Sequence, residues 1–234
     1  MQNSSNHSEP GTEQDTEQDA DRIERTRNWL RQGVLPVVVI SSVKQGLEIA
    51  EGLCAGGITQ IEITLRTTAA LQAMGDIAKR FPEMRLSAGT VLTAEQFDQS
   101  ADQGATLFIS PGLTETLADH ALEKGYAWVP GVATASEMMR GLELGFELLK
   151  FFPAMAAGGP KALAGITAPL AAALVVPTGG VTLENLPQWR EIKAVQAVGG
   201  TWLTAGLDNV TDVAKVVQQR AEQAVAAWNG TVLV

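Results

Sequence analysis

The sequence predicts a closed (β/α)8 barrel of the TIM type, preceded by a short helix and a disordered acidic tail. Three observations predict it. Apolar runs rich in Val and Ile alternate eight times with helical patterns after Gly33, and strict alternation implies a parallel sheet with right-handed crossovers. Those eight units fill about 200 residues, a length at which such a sheet closes into a barrel. Hydrophobic residues make up 45% of the chain but aromatics only 5%, which suits small-residue packing of helices on a parallel sheet. An open doubly wound sheet is the alternative fold. Against it, no G-x-G-x-x-G follows the first strand, and GLCAGG (52–57) reads as a helix C-cap.

The elements follow in order. A short helix, DRIERTRNWLRQ, starts at Asp21 and is ended by Gly33. VLPVVVI (34–40) precedes a helix over 42–55, ITQIEITL (58–65) one over 68–81, and MRLSAGTV (84–91) one over 94–103. ATLFIS (105–110) precedes 114–124, YAWVPG (126–131) precedes 135–144, and FELLKFFP (146–153) precedes 160–170. ALVVPTGG (173–180) precedes a short helix over 183–189, and VQAVGG (195–200) precedes 211–228. Residues 21–234 therefore read as a single barrel domain.

Residues 1–20 contain no large apolar side chain after Met1, so they cannot bury enough surface to order themselves. Glu9, Glu13, Asp15, Glu17, Asp19 and Asp21 carry most of the formal net charge of −9. An acidic interaction tail is the sharper reading of that segment. The remainder is mildly acidic and has no basic stripe, which argues against a nucleic-acid partner, and none is expected.

Cys54 is the single cysteine, so no internal disulfide forms. With no histidine to activate it, it reads as a small helix residue. His7 and His120 lack ligand-like neighbours, and no metal is expected. Trp128 and Trp202 read as packing residues. No apolar stretch reaches the ~18 residues of a membrane span, and no basic-then-apolar signal opens the chain. A cytoplasmic location is expected, and the N-x-S/T matches at Asn3, Asn209 and Asn229 are then fortuitous.

The polar residues collect at the C-terminal ends of the strands, where barrels of this type carry their sites. The period of two puts Glu62, Thr64 and Arg66 on the interior face of the second strand, with Ile61, Ile63 and Leu65 toward the helices. Glu62 and Arg66 form either a structural ion pair or one side of a reactive cavity. In the sixth strand, Phe146, Leu148, Lys150 and Phe152 share a face. An ammonium among Leu and Phe is unfavourable unless paired, neutralised or used. Lys150 is either a lysine snorkelling at the strand end or a desolvated amine able to attack a carbonyl carbon, with Glu62 as its partner. PTGG (177–180) and GGT (199–201) end the last two strands. Loops in that place frequently bind phosphate through backbone N–H groups.

Taken together, IEITLRT, SAGTVL, ISPGL, PGVATASE, KFFPA, PTGGV and GGTWL resemble the motifs of the 2-keto-3-deoxy-6-phosphogluconate and 4-hydroxy-2-oxoglutarate aldolase family, in order from Val34 to Leu207. The resemblance implies a metal-free, cofactor-free class I aldolase, a homotrimer, acting on a phosphorylated 2-keto-3-deoxy sugar acid. It implies that Lys150 forms the Schiff base and that Glu62 is the acid/base. Arg66 and Thr90 would bind the pyruvate-derived carboxylate, with Pro111 and Phe152 beside them. Gly179, Gly180, Gly199, Gly200 and Thr201 would hold the phosphate, and Thr178 would govern stereochemistry at the aldol carbon. Two positions depart from the pattern: Thr201 stands where the family usually has Ser, and Met155 where it often has Glu. The acidic tail lies outside the resemblance. The alternatives are an aldolase for the galactonate epimer, a non-covalent sugar-phosphate isomerase or epimerase, and a ligand-binding barrel.

Overall fold

A computed structural model describes residues 32–231 together with Glu24, Thr26, Trp29 and Leu30. The tail expected over 1–20 lies outside the described residues. Among the described residues eight helices follow the strands: α1 (Val43–Ala55), α2 (Ala70–Arg80), α3 (Ala94–Asp102), α4 (Glu115–Lys124), α5 (Ala135–Glu143), α6 (Gly159–Thr167), α7 (Leu186–Arg190) and α8 (Val213–Asn229). Short polar side chains start most of them. Ser42, Thr93, Thr114 and Asp212 each accept a hydrogen bond from an N–H three residues on, and Thr134 with Glu137 forms a full capping box. Gly125 and Gly230 end α4 and α8 in the left-handed conformation. In GLCAGG, Gly56 caps α1 and Gly57 turns left-handed at φ +84°.

The strands are β1 (Val34–Val38), β2 (Gln60–Thr64), β3 (Arg85–Gly89), β4 (Leu107–Ile109), β5 (Trp128–Val129), β6 (Gly131–Val132), β7 (Leu148–Phe151), β8 (Leu174–Pro177) and β9 (Val198–Gly200). All their pairings are parallel. They form two pieces of sheet, β5-β4-β3-β2-β1-β9 and β6-β7-β8. The pieces join twice. β5 and β6 are one barrel strand interrupted at Pro130, which has no N–H for the ladder but whose carbonyl still accepts from the Lys150 N–H at 2.9 Å. Parallel bridges from Val175 to Val195 and from Thr178 to Gly199 close β8 onto β9. The eight-unit barrel is therefore closed, as the alternation predicts.

Two apolar cores result. The larger lies between sheet and helices and holds Ile61, Ile63, Leu149, Phe151 and Val175. The smaller fills the barrel with Leu35, Leu107, Ile109, Val129, Leu148 and Val176, capped from the N-terminal end by Trp29 and Leu30. Glu24, Thr26 and Trp29 are helical, so the short N-terminal helix is the plug of the barrel floor. Trp29 Nε1 donates to Thr106 Oγ1 at 3.0 Å, and the Arg85 guanidinium lies 5.3 Å from the Trp29 ring.

One expected face is corrected. Leu148 and Lys150 point into the barrel, but Phe146 packs in the outer core, edge-on to Trp128 at 5.0 Å between centroids. The strand begins only at Leu148, so residues before it do not obey the two-residue alternation.

Candidate active site

The C-terminal ends of the strands surround a cavity of about 330 Å³. Of the expected residues, Glu62, Arg66, Thr90, Pro111, Lys150 and Phe152 line it. Thr178, Gly179, Gly180, Gly200 and Thr201 line it as well. Gly199 does not. Its Cα instead lies against Thr178, where an added Cβ would collide with Oγ1, so its role is to let the last two strands close up. Thr64, which the period of two puts on the interior face of its strand, also lines the cavity, and so does Val37, which was not expected there.

At the cavity floor, Lys150 Nζ donates to Glu62 Oε1 at 3.1 Å. Glu62 is 1% exposed and Lys150 5%, which excludes a snorkelling lysine. Glu62 is therefore paired across the barrel with Lys150, not along its own strand with Arg66. Register explains the meeting. Lys150 pairs with Gly131 on one side and Val176 on the other, so no bulky neighbour crowds it from β6. Glu62 sits beside Ser87 and close to Gly89, where a Cβ would overlap the Glu62 carboxylate. The second carboxylate oxygen, Oε2, is buried without a hydrogen-bond partner, and so is Thr178 Oγ1. Both oxygens are therefore free to hydrogen-bond a molecule in the cavity. The Phe152 ring covers the ammonium from 5.2 Å.

Arg66 lies exposed at the rim, and among the described residues it forms no ion pair, leaving its planar fork open to an anion. Thr90 takes a left-handed backbone at φ +60°, an outlier for a β-branched residue. Such strain persists where surroundings enforce it and collects at functional sites.

Beside Phe152, Gly179 and Gly180 adopt φ of +100° and +80°. Glycine is required there, since a Cβ on Gly180 would lie 2.7 Å from the Met155 side chain. Met155 itself is exposed, and its N–H donates to Gly179 O at 3.0 Å. Trp202 stacks on Gly200, its indole N–H buried without a partner. Trp128 is a packing residue, donating to Ser110 Oγ at 3.1 Å.

The other candidate chemistry lies elsewhere. Cys54 is on α1 and donates to Glu83 at 3.6 Å. Burial, then the Glu83 carboxylate, pushes its thiol up to about 11, far from a reactive thiolate. His120 bonds Asp98 at 3.0 Å within an aromatic cluster. Among the described residues no group of three or more His, Cys, Asp or Glu could hold a metal ion, and no helix is long and apolar enough to cross a membrane.

Residues 26–220 match the family model of KDPG and KHG aldolase. A 2-dehydro-3-deoxy-phosphogluconate aldolase of Pseudoalteromonas atlantica is 40% identical over 205 residues, covering 81% of this chain and 95% of the relative. The crystal structure of the 2-keto-3-deoxy-6-phosphogluconate aldolase of Zymomonas mobilis with 3-phosphoglycerate superposes with a TM-score of 0.82 at 38% identity, covering 87% of this chain and 96% of that one. A KDPG aldolase from Legionella pneumophila, with pyruvate captured as a covalent carbinolamine intermediate, gives a TM-score of 0.81 at 34% identity over 85% and 97% of the two chains. With a buried lysine–glutamate pair at the mouth of a closed barrel, and with matches over most of its length, the chain belongs to the KDPG and KHG aldolase family.

Proposed function

We propose that this protein is a class I aldolase. It reversibly cleaves 2-keto-3-deoxy-6-phosphogluconate to pyruvate and glyceraldehyde 3-phosphate, and also accepts 4-hydroxy-2-oxoglutarate, giving pyruvate and glyoxylate. The observation that carries this reading is the buried contact between Lys150 and Glu62 at 3.1 Å. A covalent pyruvate adduct in a relative with the same fold supports it.

The chemistry follows from the pair. Proton transfer from Lys150 to Glu62 leaves a neutral amine beside a carboxylic acid, and the amine adds to the C2 ketone. Glu62 returns the proton as the carbinolamine loses water, leaving an iminium on Lys150. Glu62 then takes the C4 hydroxyl proton while the C3–C4 bond breaks. The bonding electrons flow into the iminium as an enamine, and the aldehyde leaves. Protonation at C3 and hydrolysis release pyruvate and the amine, so the iminium is the electron sink for the whole step. Arg66 and Thr90 bind the carboxylate at the rim, Arg66 by a bidentate contact. Pro111 and Phe152 shape the wall around the keto acid. Thr178 faces the aldol carbon and governs its configuration. Gly179, Gly180, Gly200 and Thr201 hold the phosphate through backbone amides and a hydroxyl, with Gly199 behind them. The hydroxyl of Thr201 serves as a serine would.

One barrel domain over 21–234, a homotrimer and a cytoplasmic location complete the reading. Light scattering after gel filtration tests the trimer. Incubation with pyruvate and borohydride, followed by peptide mapping, tests the mechanism. It is expected to leave pyruvate reduced onto Lys150, and an unmodified Lys150 would exclude an imine on that residue.

A further inference from the structure

The turn after β8 contains two consecutive glycines, and such a pair does not hold its peptides in one orientation by itself. Here the carbonyls are tied down one by one. Thr178 O accepts from Ala154 N at 2.8 Å and Gly179 O from Met155 N at 3.0 Å. Gly180 O accepts from Asn185 Nδ2 at 2.9 Å. Ala154, Met155 and Asn185 all stand outside the cavity lining. In a trans peptide the N–H points opposite to the C=O, so anchoring these carbonyls turns the amides of Gly180 and Val181 the other way. Among the described residues neither amide donates a hydrogen bond.

Asn185 is itself held firmly. Its Oδ1 accepts from Thr182 N at 2.9 Å and from Trp189 Nε1 at 3.2 Å. Trp189 is fully buried on α7. The side chain thus uses both ends of its amide: Oδ1 fixes it to α7, and Nδ2 reaches the glycine turn. A carboxylate could do the first but not the second.

We propose that Asn185 is a positioning residue for the distal half of the site. It locks the Gly180–Val181 peptide with its N–H toward the cavity, so that the turn presents donors to a phosphate monoester. A flipped peptide would present a carbonyl oxygen there and repel the anion. The inference rests on the reading of this turn as the phosphate subsite.

The test compares wild type, Asn185→Ala and Asn185→Asp on 2-keto-3-deoxy-6-phosphogluconate and on the same acid without phosphate, with inorganic phosphate as a competing ligand. Asn185→Asp keeps the acceptor for Thr182 and Trp189, replaces the donor to Gly180 by a carboxylate oxygen and adds a negative charge, so it is compared with wild type also at about 1 M salt, where that charge is screened. In both variants KM for the phosphorylated substrate, and the inhibition constant of phosphate, should rise roughly tenfold, the worth of one hydrogen bond. The kcat values, and KM for the unphosphorylated acid, should stay within about twofold. Equal losses on both substrates, no loss on either, or failure of both variants to fold would overturn the proposal and make Asn185 a structural residue. If Asn185→Ala alone fails to fold, Asn185→Asp decides at about 1 M salt, where its added charge is screened and only the lost donor separates it from wild type. A wild-type enzyme that neither prefers the phosphorylated acid nor binds phosphate would instead remove the subsite reading itself.

Discussion

Above Glu62 and Lys150 the barrel interior is polar and open, whereas below them it is apolar and closed. The same strands build both halves. β7 supplies Leu148 below and Lys150 above, and β8 supplies Val176 below with Thr178 above at its end, each pair separated by one two-residue period of the pleat. Below the pair, Leu35, Leu107, Ile109 and Val129 meet Leu30 from the N-terminal helix. Water is thus shut out from beneath the two groups, while the cavity opens to them from above. A low-dielectric floor strengthens every electrostatic contact made on it. Under the mechanism proposed above, the lower half contributes without touching the substrate, because it sets the medium in which the pair works.

The largest effect should come from separating the pair. Lys150→Met removes the amine, so turnover is expected to vanish. It also leaves Glu62 buried with neither oxygen partnered, since Oε2 has no partner already. The cost to stability is expected at about 3 kcal/mol in denaturant unfolding, the typical result of breaking a buried pair from one side. Replacing both members, Lys150→Met with Glu62→Leu, should return stability to within about 1 kcal/mol of wild type, with activity still absent. A single variant as stable as wild type would show that the charge is not confined by its surroundings.

Much of this contrast was legible in the sequence. The period of two in EITLR put Glu62 inside, and the alternation of units put Lys150 on the opposite wall. What the sequence withheld is physical in origin. Trp29 and Leu30 are plainly apolar, but a short amphipathic helix does not say which end of a barrel it plugs. Phe146 was assigned inward because the strand was started two residues early, where pleating does not yet hold. Val37 was passed over because a valine in a valine-rich strand carries no mark of the layer it reaches. The Glu62–Arg66 pair was a fair alternative from spacing alone, and only the three-dimensional register sends Glu62 to Lys150. The role of Asn185 had a faint signal, a short polar residue three positions after Thr182 in GGVTLEN, of the kind that closes local turns.

The lower half can be tested by the opposite kind of change. Leu107 is fully buried in the barrel core and faces the floor beneath the pair. Leu107→Ala should cost about 2–5 kcal/mol by leaving a cavity that rigid strands cannot fill. The folded fraction should retain kcat within about twofold, because the lysine and glutamate keep their contact. A fall in kcat much beyond that would mean water entering through the new void has reached the pair, and the two halves would then be less separate than their composition suggests.

The boundary between the halves is held by Gly89, and here the smallest change is the most discriminating. A Cβ at this position would lie within 3 Å of the Glu62 Cγ and Cδ atoms and collide with Oε1. Gly89→Ala should destabilise by about 1–3 kcal/mol through overpacking. It should also displace the carboxylate from Lys150, lowering kcat roughly 10–100-fold with little change in KM, as expected when a reacting group moves by about an ångström. Any methyl group near the site could lower activity, so the decisive measurement is a cycle with Glu62→Ala. Once that side chain is gone, the new methyl enters space it has vacated. Gly89→Ala should then cost neither stability nor the residual rate. Equal effects in both backgrounds would mean that Gly89 serves the β3 backbone alone, and that the glutamate is positioned by its own strand rather than by the space its neighbour leaves.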